Sequence, residues 1–165
     1  MKTLGLYIHI PFCKAKCGYC DFNSYAGKEE YIESYFSALL REIEEAAIKY
    51  PLPVDTIYFG GGTPTFADTL YTCKVLAKIR ELFEQCSNCE ISIECNPGTI
   101  GYEGLKNLRD AGFNRLSIGL QSADNGCLKA LGRIHTFEDF KESYRLLSSA
   151  GIDNISVDVM YALPN

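Results

Sequence analysis

The chain has 165 residues, with 16 Lys and Arg against 21 Asp and Glu and a formal net charge of −5. At 47% hydrophobic and 22% charged residues it has the composition of one globular domain with a substantial core, not of a disordered segment. No basic cluster is present to grip nucleic acid, no apolar run approaches the ~20 residues of a membrane span, and Met1 to Leu6 reads as no secretion signal, so a cytoplasmic protein is expected, peripheral membrane association apart.

Strand-like and helix-like runs alternate along the chain. Leu4 to Ile10 is rich in β-formers and is closed by Pro11. After a cysteine-bearing loop, Tyr31, Ile32, Tyr35, Leu39, Ile43 and Ala46-Ala47 recur at helical spacing until Pro51 and Pro53. Val54 to Phe59 reads as a second strand, ending in Gly60-Gly61-Gly62. A helix over about Asp68 to Phe83 follows, with Leu70, Val75, Leu76, Ile79 and Leu82-Phe83 as its apolar stripe. Glu90 to Cys95 is a third strand, cut off by Asn96-Pro97-Gly98. Tyr102 to Ala111 is a helix capped by Gly112. Arg115 to Leu120 is a fourth strand, about Phe137 to Ala150 a helix ending at Gly151, and Asn154 to Met160 a fifth strand.

This alternation implies right-handed βαβ units and a parallel sheet. The phrases Ala111-Gly112-Phe113-Asn114 and Ala150-Gly151-Ile152-Asp153 mark two equivalent helix-to-strand corners, though unequal spacing argues against a solenoid. A fifth parallel strand should be buried on both faces, and nothing after Asn165 could cover it. Residues 1–165 are therefore read as the N-terminal part of a longer barrel or partial barrel, lacking later strands and a C-terminal domain.

Eight cysteines require a reason, and nothing suggests a disulfide framework. Cys13, Cys17 and Cys20 form a C-x3-C-x2-C. A [4Fe–4S] cube is usually held by four thiolates; three on one loop would leave the fourth iron open to a small chelating ligand. Two other readings of the spacing stay open: structural zinc with His9 or a distant cysteine as fourth ligand, or three unrelated thiols. The Cys86-x2-Cys89 pair is placed in a polar turn before the third strand, away from the strand C-termini where α/β active sites gather, and is read as functionless.

Gly60-Gly61-Gly62-Thr63-Pro64-Thr65 follows a strand directly. Glycines there let the backbone approach a ligand, and the motif is neither a P-loop nor a dinucleotide fingerprint. Glu94 and Asp158 sit toward strand ends and Gln121 directly after a strand, so all three should face the rim that carries the cysteine loop. The two histidines, His9 and His135, form no i, i+4 pair for hydrolytic zinc, and no nucleophile elbow appears.

These residues together resemble the radical S-adenosylmethionine (SAM) superfamily, and within it the oxygen-independent coproporphyrinogen III oxidase family. The resemblance spans the chain through Tyr7-Ile8-His9-Ile10-Pro11-Phe12-Cys13, the cysteine triad, Gly60 to Thr65, Ile93 to Gly98, Gly112 to Ser122, and Asp158 to Pro164. It implies the N-terminal part of a (β/α) partial TIM-type barrel, with Cys13, Cys17 and Cys20 holding a [4Fe–4S] cluster. The cluster's open iron would be chelated by SAM, and its reduction would cleave SAM to a 5′-deoxyadenosyl radical. Carried over by position, Tyr7, Gly61 and Glu94 would contact that SAM, while Tyr19, Gly62, Thr63, Gln121, Arg133 and Asp158 match positions that hold a second SAM in the oxidase branch.

The resemblance divides at one position. Oxidases that decarboxylate coproporphyrinogen have a fourth cysteine two residues after the third, where this chain has Phe22. Phe22 and the short N-terminal segment resemble the haem-chaperone branch, which implies haem binding, an electron donor for the cluster and haem-accepting partner proteins. The alternative is an oxidase of porphyrin biosynthesis acting on coproporphyrinogen III. A further departure is Ala162, where the family usually has glycine.

Overall fold

The computed structural model describes residues 2–163, so Pro164, the last residue of the family-like phrase, lies outside the described residues. Five strands form one parallel sheet: β1 (Leu4–Ile10), β4 (Val54–Gly61), β5 (Gln85–Cys95), β6 (Arg115–Gln121) and β7 (Ile155–Val159), in the order β1-β4-β5-β6-β7. Between them run α1 (Ile32–Lys49), α2 (Thr69–Leu82), α3 (Tyr102–Ala111), α4 (Asn125–Ala130) and α5 (Phe137–Ser149). Two short strands, β2 (Phe12–Cys13) and β3 (Tyr25–Ala26), pair with each other apart from the main sheet.

The sheet alternates in a way that all-parallel sheets seldom do. The register row Ile8, Phe59, Ile93, Leu116 and Ile155 packs into the core with Phe36, Val75, Ile79, Leu108 and Leu147 of the helices. The neighbouring row, Tyr7, Tyr58, Ser92 and Arg115, carries polar groups on the other face. One face therefore supplies the hydrophobic stabilisation, about 25 cal/mol per Å² of apolar surface removed from water. The other is left for chemistry.

Several expectations need correction. β7 is not buried on both faces: among the described residues it pairs only with β6, and Val157 and Val159 are exposed on the face opposite Asp158, which is the core-facing side of the sheet. The helical stripes are narrower than the apolar residues suggested, since Tyr31, Leu70 and Leu82 are exposed while Phe36 is buried. The third strand starts at Gln85, not Glu90. Between Val54 and Thr56 β4 takes two steps, while β5 takes five from Gln85 to Glu90. Cys86 and Cys89 thus lie within this bulged strand and not in a turn before it. The Asn114 side chain holds the bulge, donating to the Cys89 carbonyl at 2.9 Å and accepting from Ile91 N–H at 2.8 Å.

Local signals set the helix ends. Asp68 accepts from Leu70 N–H at the start of α2, and Thr136 with Asp139 forms a reciprocal capping box at the start of α5. The short α4 begins the same way, Asp124 accepting from Cys127 N–H. Among the described residues no helix is long and apolar enough to cross a membrane.

Candidate functional site

The cysteine loop is fixed at both ends by backbone. β2 and β3 bring Phe12 opposite Tyr25 and Cys13 opposite Ala26, and Tyr25 N–H donates to the Pro11 carbonyl at 2.7 Å. Within the loop Lys16 Nζ donates to the carbonyls of Phe22 and Ser24, at 2.9 and 3.2 Å. Gly18 N–H reaches across to the Leu131 carbonyl at 3.0 Å. Eleven residues of irregular chain, 14 to 24, are thereby held as a defined wall.

That wall faces the C-terminal ends of β4 to β7 across a cavity of about 120 Å³. Cys13, Cys17, Tyr19, Cys20, Gly62, Thr63, Glu94, Gln121, Arg133 and Asp158 all line it, so ten of the twelve residues singled out from sequence share one space. The other two stand behind it. Gly61 N–H donates to Glu94 Oε2 at 3.2 Å, and Tyr7 stacks on Tyr58, whose hydroxyl donates to Glu94 Oε1 at 2.7 Å. Both Glu94 oxygens are thus oriented before any ligand arrives. Burial, then the hydrogen bond to Glu94, pushes the Tyr58 phenol far up, so Tyr58 remains a donor at neutral pH.

The glycine turn is a steric necessity. Gly61 has φ 116°, and a Cβ there would lie 2.6 Å from the His9 ring; a Cβ on Gly62 would lie 2.7 Å from the Phe12 carbonyl oxygen and 3.0 Å from Cys13 Sγ. Thr63 N–H then donates to that Phe12 carbonyl at 2.8 Å, tying the turn to the cysteine loop.

Two buried side-chain atoms here have no partner among the described residues, Gln121 Oε1 and Arg133 Nε. Gln121 closes β6, one residue later than expected, at φ 62°, a left-handed conformation uncommon outside glycine. A strained residue and two orphaned polar atoms on one cavity point to a polar ligand. Arg133 also donates to Cys17 Sγ at 3.5 Å and to the Gly119 carbonyl at 2.8 Å. Burial pushes the Tyr19 phenol up, with Arg133 pulling the other way.

The donor set fits an iron–sulfur cluster better than zinc. All eight cysteines are free thiols, and Cys13, Cys17 and Cys20 share the cavity wall. Among the described residues no three of His, Cys, Asp and Glu converge into a ready-made metal cage, so the loop thiols are a donor set and not a closed tetrahedron. His9 offers no fourth ligand, because Nδ1 meets Tyr7 Oη at 3.2 Å and Nε2 the Asn23 carbonyl at 2.8 Å. His135 is buried beside the rim, with Nε2 at 3.4 Å from the Leu120 carbonyl; burial and the Arg133 charge hold it down to about 4.

Phe22 lines the cavity with two-thirds of its surface exposed, so it does not pack the loop. The sequence reading did not single out Asn96, which also lines the cavity. An asparagine before Pro-Gly reads as a turn residue, and only its hydrogen bonds disclose more.

Residues 7–165 match the radical SAM superfamily. The Heme chaperone HemW of Bacillus subtilis is 38% identical over 160 residues, an alignment covering 96% of this chain and 42% of that protein. The Heme chaperone HemW of Escherichia coli is 39% identical over 167 residues, covering 100% and 44%. Among solved structures, coproporphyrinogen III oxidase (HemN) from Escherichia coli superposes with a TM-score of 0.89 at 32% identity, over 98% of this chain and 38% of that one. The [FeFe]-hydrogenase maturase HydG, at 16% identity and a TM-score of 0.65, shares the fold. The chain spans about two-fifths of the length of the curated relatives it matches.

Proposed function

This chain belongs to the radical SAM superfamily, and from that premise we propose that it is the cofactor-binding part of a haem chaperone. Cys13, Cys17 and Cys20 hold a [4Fe–4S] cluster, and the site binds SAM. When bound and reduced, this pair supplies one-electron cleavage of SAM to a carbon-centred radical. The observation that carries the reading is the convergence of three loop thiols with Glu94, Gln121, Arg133 and Asp158 on one cavity that contains two orphaned buried polar atoms.

The chain's residues divide the work of binding. Glu94, oriented by Tyr58 and Gly61, presents a carboxylate to the ammonium end of an amino-acid-like ligand. Gly61 and Gly62, with no Cβ to strike the His9 ring or the Phe12 carbonyl, keep the turn seated against the cysteine loop beside that ligand. Tyr7, behind Tyr58, supports the same carboxylate. Arg133 Nε and Gln121 Oε1 offer one free donor and one free acceptor, and Tyr19 and Thr63 complete the wall. Asp158, held by a 3.0 Å hydrogen bond from Ser117 Oγ, closes the side formed by β7. Residues 1–165 are on this reading a core domain, with further strands and a C-terminal domain supplied by a longer chain.

Phe22 and the curated relatives favour the chaperone over the oxidase. A benzyl side chain standing in the cavity cannot join the redox or proton chemistry open to a thiol, and the HemW proteins align over nearly the whole chain. The second reading, coproporphyrinogen III decarboxylation, is favoured by the close superposition on HemN. The full-length parent, reconstituted anaerobically, separates the two when haem is titrated in one arm and coproporphyrinogen III supplied with SAM and reductant in the other. Saturable haem binding without protoporphyrinogen IX is expected. Catalytic formation of protoporphyrinogen IX without haem binding would overturn the reading in favour of the oxidase.

A further inference from the structure

We infer that Asn96 is a positioning residue which orients the hydrogen bonds on two of the three cysteine sulfurs and thereby sets the reduction potential of the cluster they hold; this rests on the cluster reading above. Its side chain is the middle of a continuous circuit. Asn96 Nδ2 donates to Thr63 Oγ1 at 2.8 Å, and Thr63 Oγ1 donates to Cys13 Sγ at 3.7 Å. In the other direction Arg133 Nη2 donates to Asn96 Oδ1 at 2.7 Å, and Arg133 Nη1 donates to Cys17 Sγ at 3.5 Å.

The circuit has only one consistent direction. A hydroxyl has a single proton, and Thr63 accepts from the Asn96 amide. Its proton is therefore free to point at Cys13. The Asn96 carbonyl, with the Gly119 carbonyl, anchors one arm of the Arg133 guanidinium and leaves the other aimed at Cys17. The backbone of Asn96 is held as well, its carbonyl accepting from Thr99 Oγ1 at 2.6 Å and Thr99 N–H at 3.1 Å. Gly119 keeps the space open, because a Cβ there would lie 3.0 Å from Asn96 Oδ1 and 3.1 Å from Arg133 Nη2. Hydrogen bonds to cysteinyl sulfur withdraw charge and raise the potential of an iron–sulfur cluster. One amide thus governs two of these bonds without touching either sulfur.

The test uses the reconstituted protein and reads the cluster directly. In Asn96→Ala the ratio of reduced to oxidised cluster at a fixed poised potential is expected to fall roughly tenfold, 59 mV to the negative side for one electron. Pulsed electron paramagnetic resonance in H2O and D2O is expected to show weakened exchangeable-proton couplings to the reduced cluster. Asn96→Asp preserves shape if the alanine variant fails to fold or load. The carboxylate still anchors Arg133 but can only accept, so Thr63 turns its proton away from Cys13; one coupling is lost and the other kept. That selective loss is not produced by a role in packing or by added charge. A wild type that loads a cluster beside variants whose potential and couplings are unchanged overturns this inference alone. A wild type that takes up no iron and sulfide overturns the cluster reading and this inference with it.

Discussion

The two ends of the sheet are built differently. At the N-terminal end, Ala111-Gly112 and Ala150-Gly151 make the same corner twice. Each glycine has positive φ, 103° and 76°, and each preceding alanine carbonyl accepts from an arginine of an earlier helix: Arg80 on Ala111, and Arg109 on Ala150 at 2.8 Å. Asn114 fills the remaining backbone demand at the β5 bulge. At the C-terminal end nothing repeats. Gln121 is strained, two buried polar atoms lack partners among the described residues, and His135 is held neutral by burial. In parallel α/β folds one end serves stability and the other chemistry. Here the two are told apart by whether their polar groups are satisfied within the chain.

The sharpest break in that comparison is the fate of the two cysteine sets. Cys13→Ala, Cys17→Ala or Cys20→Ala is expected to abolish the cluster of about four irons and four sulfides per chain that anaerobic reconstitution gives the parent. Cys86→Ala and Cys89→Ala, at the other end, are expected to leave it intact. Iron, sulfide and visible absorbance measure this. Zinc in place of iron, or iron lost from the Cys86 or Cys89 variant, would contradict the assignment.

The five strands were legible as short runs of β-formers, several of them closed by Pro, Gly or Asn, and the longer helices because apolar residues recur with period 3.6. What was missed has physical causes. The six residues of α4 are too few to show a period, and its Asp124 cap resembles any turn residue. The polar start of β5 does not read as strand, because it is held by the Asn114 side chain and not by apolar packing. The β2–β3 clasp pairs residues thirteen apart in segments that have no pattern of their own. At the site, thiols, glycines and strand-end carboxylates announced themselves by type and spacing. Asn96 did not, since its importance lies only in which atoms it joins.

The next largest effect is acid lability confined to the C-terminal end. His135 binds a proton near pH 6.5 when unfolded and only near about 4 when folded. Between these values the unfolded chain binds more protons, so stability rises with pH across the window. It is fully present above about pH 6.5 and is lost as pH falls toward 4, by up to roughly 3 kcal/mol. Arg133 opposes the charged ring and Asp139 favours it, burial being the larger cause. His135→Gln cannot titrate, so its urea midpoint is expected to fall less than that of the parent between pH 7.5 and 4.5. Parallel loss in the two proteins would remove His135 as the cause.

The smallest effects test one backbone constraint at opposite ends, with opposite sign. Gly112 has φ 103°, and a Cβ there would strike the Arg80 guanidinium that caps the corner. Gly112→Ala is expected to cost about 1–2 kcal/mol, the penalty for an L-residue in left-handed backbone, with cluster loading unchanged. Ala162 already bears that penalty just after β7, at φ 58°. Ala162→Gly relieves the strain but gives the unfolded chain more freedom, about 0.5–1 kcal/mol against it. The net gain should be only roughly 0.5 kcal/mol, the difference between those two quantities. Urea midpoints at constant slope measure both. If Gly112→Ala is harmless, the arginine-capped corner is not what stabilises the N-terminal end. If Ala162→Gly is destabilising, the left-handed turn after β7 is held by contacts of the Ala162 methyl that outweigh its backbone strain.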